Sequence, residues 1–128
     1  MRLLLDTHAF LWWVTADDKL SAKARRAIAD MGNEIFVSAA SAWEIATQNR
    51  LGRQGDAGAA VPRFAELVAA EGFSPLAVDH RHALLAGGYD LSHRDPFDRM
   101  LAAQSEIERL PLVTLDPAFA LFGARTVR

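Results

Sequence analysis

The chain contains no cysteine, and only Lys19 and Lys23 among its 14 basic residues are lysines. Without thiols there is no disulfide framework, no thiolate nucleophile and no sulfur-based zinc site, which fits a reducing compartment. A basic excess is also missing: 14 basic side chains face 16 acidic ones, for a net charge of −2. Nothing then draws polyanions to the surface as a whole, so any phosphate-bearing ligand must be held locally. The remaining basic residues are arginines, whose planar fork of donors suits phosphate oxygens, although codon bias explains the preference equally well. No apolar run approaches the roughly 20 residues that a membrane span needs. The opening run Leu3-Leu4-Leu5-Asp6 lacks the basic, long-apolar, small-residue order of a secretory signal, so a cytoplasmic location is expected. No repeat or low-complexity tract is apparent.

What remains, 128 residues of which 51% are hydrophobic, suits one domain over 1–128 with its own core. Arg2 to Leu5 reads as a short apolar strand, followed by a buried helix carrying Phe10, Leu11, Trp12, Trp13 and Val14. Ser21 caps a helix over residues 22–29 that Gly32 and Asn33 stop. Ile35 to Val37 is a second strand, Ser41 to Leu51 a third helix, and residues 52–60 the most linker-like and mobile stretch. Pro62 suits the first turn of a helix to Ala70. Phe73 to Val78 can form an edge strand interrupted by Pro75. Asp79 caps a helix to Ala86 before Gly87 and Gly88, and Asp95-Pro96 opens the strongest helix of the chain, closed by Pro111. Leu112 to Leu115 is a strand, Asp116-Pro117 starts a short helix through Phe122, and Thr126-Val127 closes the sheet. Strands alternating with helices imply an α/β fold of three layers, a mainly parallel sheet of four to five strands flanked by helices. Its functional crevice is expected at the carboxyl ends of the strands.

Two acids stand at such ends, Asp6 and Asp116. Each alone is ordinarily a helix cap. If their strands are neighbours, however, the two charges repel by about 4 kcal/mol at 4 Å and an effective dielectric near 20, which a shared proton or bound divalent cations would relieve. Glu44 fits a capping box with Ser41 or a place in the same crevice. Asp98, third in its helix, suits the helix dipole and stands near the same crevice. His80 and His82 lie two apart, a spacing that points them to different sides of a helix and argues against a joint metal site. His8 and His93 flank the acids in ordinary hydrogen-bonding roles, and the aromatic group Phe10, Trp12, Trp13 and Trp43 reads mostly as core.

The segments Leu4-Leu5-Asp6-Thr7-His8, Ser41-Ala42-Trp43-Glu44-Ile45, His93 to Gln104 and Leu112-Val113-Thr114-Leu115-Asp116 together resemble the PIN domains, and among them the VapC-type toxins of bacterial toxin–antitoxin pairs. They occur in the family's order and span nearly the whole chain. The resemblance implies that Asp6, Glu44, Asp98 and Asp116 are the catalytic acids and bind Mg²⁺ or Mn²⁺. Thr114 and Asp95 stand near enough to hold a carboxylate or a metal-bound water, Asp95 being better explained as a cap that needs no functional role. It also implies a homodimer and a cognate antitoxin that lays a peptide across an aromatic groove and the acidic pocket.

The expected activity is metal-dependent hydrolysis of RNA, with arginines such as Arg94 and Arg99 positioning the backbone. Nothing in the sequence reads a 2′-hydroxyl, so RNA over DNA rests on the resemblance alone. Two alternatives stand beside it. An aspartyl phosphotransfer or phosphatase domain would use Asp6 as nucleophile, but would want a lysine near the later strands and has none after Lys23. A non-catalytic protein-binding module would leave the four acids as caps and surface charges.

Overall fold

The computed structural model describes residues 1–53 and 55–128, so Gln54, in the expected linker and mobile stretch, lies outside the described residues. Five strands form one sheet, with β1 Arg2–Leu5, β2 Glu34–Ser38, β3 Ser74–Leu76, β4 Leu112–Val113 and β5 Thr126–Val127 in the order β3-β2-β1-β4-β5. All pairings are parallel. Six α-helices cover it: α1 Thr7–Val14, α2 Ala22–Ala29, α3 Ala39–Arg50, α4 Phe64–Ala70, α5 His80–Gly88 and α6 Pro96–Glu108. Gly55–Ala60 and Pro117–Phe122 are 3-10 helices. None of the described helices is long and apolar enough to cross a membrane.

Period-two alternation in β1 divides the core between the two faces of the sheet. Leu3 and Leu5 pack with Ile35, Val37 and Val113 against Phe10, Leu11, Ala24, Ile28 and Val68. Leu4 turns the other way, joining Phe36 and Leu112 against Leu101, Ala102, Leu110 and Phe119. β1 is buried on both sides, which is why its sequence is a continuous apolar run rather than an alternating one. Its register on β4 pairs Leu4 with Leu112 and Leu5 with Val113, so the residues that follow, Asp6 and Thr114, leave adjacent strands at the same height.

Several element ends differ from the sequence reading. The cap of α3 is Ser38, whose hydroxyl accepts from Ala40 N–H, and not Ser41. Ser38 is preferred because it ends β2 in register with Leu76 and its hydroxyl also meets the fully buried Gln104 of α6. The capping box proposed for Glu44 therefore does not exist: Glu44 is the sixth residue of α3, in its second turn. α4 begins at Phe64, two residues past Pro62, and α5 runs through Gly87 and Gly88 instead of stopping before them. β4 covers two residues rather than four, because its outer neighbour β5 offers only Thr126 and Val127 as partners. Asp116 thus follows its strand after a short gap.

Candidate active site

Asp6 enters the site because the chain leaves β1 and turns at once into α1. Its Oδ1 caps that helix by accepting from Ala9 N–H at 2.7 Å. Asp116 does the same for the 3-10 helix after β4, its Oδ1 accepting from Ala118 N–H at 2.9 Å. Thr114 connects the two. Its buried hydroxyl accepts from Asp116 N–H at 3.0 Å and is hydrogen-bonded to the Asp6 carboxylate. Glu44 comes from α3, on the far side of β1, where Thr7 hydrogen-bonds it. Thr7 and the buried Ser41 are 3.0 Å apart, hydroxyl to hydroxyl. Thr7 is the donor of that bond. Asp98, third residue of α6, carries His93 Nε2 on its Oδ2 at 2.9 Å. Asp95 caps α6, accepting from Phe97 and Asp98 N–H.

Three of the acids are raised, each by burial first and then by a neighbouring acid. Burial pushes the Asp6 carboxyl above its usual range; hydrogen bonds from Thr114 and Ala9 and the nearby His8 draw it back, and the charge of Asp116 adds to the rise. Glu44 is raised by burial first, opposed by Thr7, and raised again by Asp95 and Asp98. Asp98 is raised by burial, opposed by the His93 hydrogen bond, and raised by Asp95 and Asp116. Asp98 is thereby the hinge of the set, feeling Asp116 on one side and sharing Asp95's influence with Glu44 on the other. Asp116 itself is exposed.

Capping takes one oxygen each from Asp6 and Asp116, and His93 takes one from Asp98, so each retains an oxygen for another partner. The cap role and a ligand role are compatible. The donors are all hard carboxylate oxygens, which fits Mg²⁺ or Mn²⁺ and disfavours thiophilic metals. Their spacing is loose: among the described residues, the trio of His and acidic side chains whose ligand atoms all lie within 4.8 Å of one another is Asp79, His82 and Glu108, not the four acids. A cation that keeps several waters and takes one or two carboxylates directly suits such spacing.

The tighter trio is already satisfied without an ion. His82 Nδ1 accepts from Asp79 N–H at 3.0 Å, which leaves the hydrogen on Nε2 to donate to Glu108 at 2.9 Å. The Arg81 guanidinium bonds both Asp79 and Glu108, at 2.8 and 3.1 Å. This is a clasp between α5 and α6, and His80 has no part in it. Two cavities also lie away from the acids. One of about 280 Å³ sits at the far end of α6 between Leu110 and Phe122. The other, about 510 Å³, is an apolar groove including Phe64, Val68, Phe73 and Leu76, with no ionisable side chain in its lining.

One expectation needs correction. Arg99 does not face the cleft as a phosphate ligand, because its guanidinium is spent on the backbone carbonyls of Ala86, Tyr89 and His93 at 2.6 to 2.8 Å, and of Gly87 and Leu91 at 3.4 Å. Arg94 is exposed. The aromatic group is mostly core, as expected: Phe10 is fully buried and Trp12 and Trp13 pack against the core, while Trp43 is its exposed part, at 55%. Sequence reasoning gave Thr7 no role and Ser41 only that of a cap, and missed the bond between them. The available signal was position, since Thr7 directly follows Asp6 and Ser41 precedes Glu44 by three.

A family model described as PIN domain matches residues 3–124. A 60-residue stretch is 40% identical to Ribonuclease VapC16 of Mycobacterium tuberculosis; it covers 47% of this chain and 43% of that protein, so the chain matches less than half the length of this curated relative. In three dimensions the chain resembles the crystal structure of VapBC2 from Rickettsia felis bound to a DNA fragment from their promoter. The TM-score is 0.66 over 100% of this chain and 98% of that one, at 13% identity, a likeness of fold. With a match reaching from β1 to beyond the last helical turn, the chain belongs to the PIN-domain family.

Proposed function

We propose that the chain is a divalent-metal-dependent endoribonuclease, with Asp6, Glu44, Asp98 and Asp116 holding Mg²⁺ or Mn²⁺ as its catalytic acids. What supports this reading is that four acids from separate elements form a chain of influence, Asp116 raising Asp6 and Asp98 and Asp98 raising Glu44, with burial the first cause of each rise. Such crowding is costly unless a cation offsets it. A bound cation supplies a more acidic water and neutralises charge developing on the phosphate.

The chain's own residues do the positioning. Thr114 stands between Asp6 and the backbone of Asp116, Thr7, tied to Ser41, lowers the Glu44 carboxyl, and His93 engages Oδ2 of Asp98. Asp95 bonds the backbone N–H groups of its own helix, a structural role that leaves it able to hold a water. Arg94, exposed and next to the Asp95 cap of α6, is the arginine left to meet a phosphate oxygen. No protein nucleophile is required. A phosphotransfer role for Asp6 would want a lysine that the later chain does not carry.

We further propose, from the names of the similar proteins, that the chain is the toxin of a toxin–antitoxin pair, works as a homodimer, and is held inactive by an antitoxin. RNA cleavage should cease in excess EDTA and return with Mn²⁺. Asp6→Asn tests the site sharply: asparagine caps a helix as well as aspartate does, so the fold is kept while the charge is lost. Cleavage at the wild-type rate by Asp6→Asn, or at full rate in EDTA, contradicts the proposal.

A further inference from the structure

Trp43 stands out once the cleft is described. It is the large aromatic most exposed among the described residues, at 55%, and solvent exposure of an indole forfeits much of the burial gain that usually keeps tryptophan inside. The ring is nonetheless held. It meets the buried Phe97 at 4.5 Å between centroids and 72° between planes, an edge contact that fixes its orientation and leaves an indole face in solvent. The other tryptophans have packing or polar partners. Trp13 donates to Glu71 and packs near Phe73, and Trp12 lies against His8.

Its position relates it to the acids. Trp43 immediately precedes Glu44 in α3, and Phe97 immediately precedes Asp98 in α6. Successive residues of a helix point about 100° apart. Where the two helices approach, the carboxylates therefore face the cleft and the ring pair forms its adjoining lip. We propose that Trp43 is a stacking platform for an unpaired nucleobase next to the phosphate engaged at the carboxylates. This rests on the nuclease reading, and it adds a substrate feature. A phosphate held over Glu44 and Asp98 brings a flanking base within reach of the indole, and only a base that is free of its own stack can lie on it. Stacking accepts any base, because every base has a π-face, so Trp43 selects for single-stranded character at that nucleotide rather than for its identity.

The test uses the full chain with Mn²⁺ and short single-stranded oligoribonucleotides. Trp43→Leu should raise KM roughly 5- to 150-fold, the range that loss of one stacked base corresponds to. Trp43→Phe, which retains a ring against Phe97, should stay within a few-fold of wild type and controls for packing. Removing the base from the nucleotide beside the scissile bond should raise the wild-type KM by a similar factor and add little in Trp43→Leu, since both changes delete one contact. Binding is read separately in the non-cleaving Asp6→Asn chain: 2-aminopurine at that nucleotide should be quenched when Trp43 is present and not in the Trp43→Leu double variant. Quenching that depends on Trp43 in a protein whose wild type cleaves no RNA would keep the stacking site and discard the nuclease. Unchanged KM and unchanged quenching in Trp43→Leu would overturn the stacking site, and would do so equally if that variant instead loosened the hold of a protein partner.

Discussion

Arg99 offers the most quantitative test of how the cleft is built. It lies one residue past Asp98, yet its guanidinium reaches back to the end of α5 and the connection beyond. Nε donates to Ala86 O at 2.8 Å, and the terminal nitrogens donate to His93 O at 2.8 Å and Tyr89 O at 2.6 Å. It therefore caps α5 from a neighbouring helix and fastens residues 86–93, the segment that delivers His93 to Asp98. Charge-assisted hydrogen bonds are worth roughly 1.5 kcal/mol or more each when net contributions are counted. Three short bonds would give between 4 and 5 kcal/mol on that scale, an estimate that must be reduced to about 3 kcal/mol because the site is half-exposed and water can recover part of the loss. Arg99→Met should thus lower stability by about 3 kcal/mol, and Arg99→Lys by about 2 kcal/mol, since an ammonium cannot span carbonyls arranged for a planar fork. For 128 residues unfolding entropy is about 0.27 kcal/mol per degree, so the methionine variant should lose about 10 °C in Tm. Urea unfolding gives the free energies, and amide exchange should show lost protection concentrated between residues 86 and 95. If Arg99→Met kept wild-type stability while weakening RNA binding and flattening its salt dependence, the guanidinium would belong to the substrate and the clasp would be wrong.

The remaining predictions concern charge. In EDTA the carboxyls of Asp6, Glu44 and Asp98 are raised on folding, so the folded chain binds protons more tightly than the unfolded one. Their contribution is then most favourable below the unfolded values near 4 and is lost as pH rises through the raised ones; a chemical-denaturation series from pH 4 to 7 that showed the opposite trend for wild type relative to Asp6→Asn would refute it. Saturating Mn²⁺ at about 100 times its Kd should return about 2.7 kcal/mol at pH 7, a Tm rise of about 10 °C that Asp6→Asn should largely lose. Asp6→Asn without metal should be as stable as wild type or more so, measured by the same melts. His82→Ala should cost about 2 to 3 kcal/mol by opening the α5–α6 clasp, yet leave Mn²⁺ affinity by calorimetry unchanged; a large loss of affinity would move the metal site to that trio.

What could be read from the sequence was whatever is decided within a few residues. The first strand is a run of leucines because it is buried on both faces, and Asp6, Asp95 and Asp116 announce themselves as caps by preceding a helix start. The start of α3 was not decided locally. Ser38 and Ser41 are both plausible caps, and the choice falls to Ser38 because β2 must end where β3 and Gln104 meet it, which frees Ser41 to reach Thr7. The destination of Arg99 was hidden for a similar reason: carbonyls 13 residues upstream become acceptors only after α5 and α6 lie side by side. That part of the aromatic group stays exposed could be expected, but that the exposed member is Trp43 is settled only when α3 and α6 meet. The acids posed a different difficulty, since each had an adequate local explanation that made a functional one look unnecessary. A carboxylate has two oxygens, and a helix cap or a neighbouring histidine uses one. The bond from Ala9 N–H to Asp6 Oδ1 holds the side chain at the strand end and leaves the other carboxylate oxygen for further partners. Local capping is then the means by which the fold aims the carboxylate, and explaining Asp6 as a cap is a step toward explaining it as a ligand.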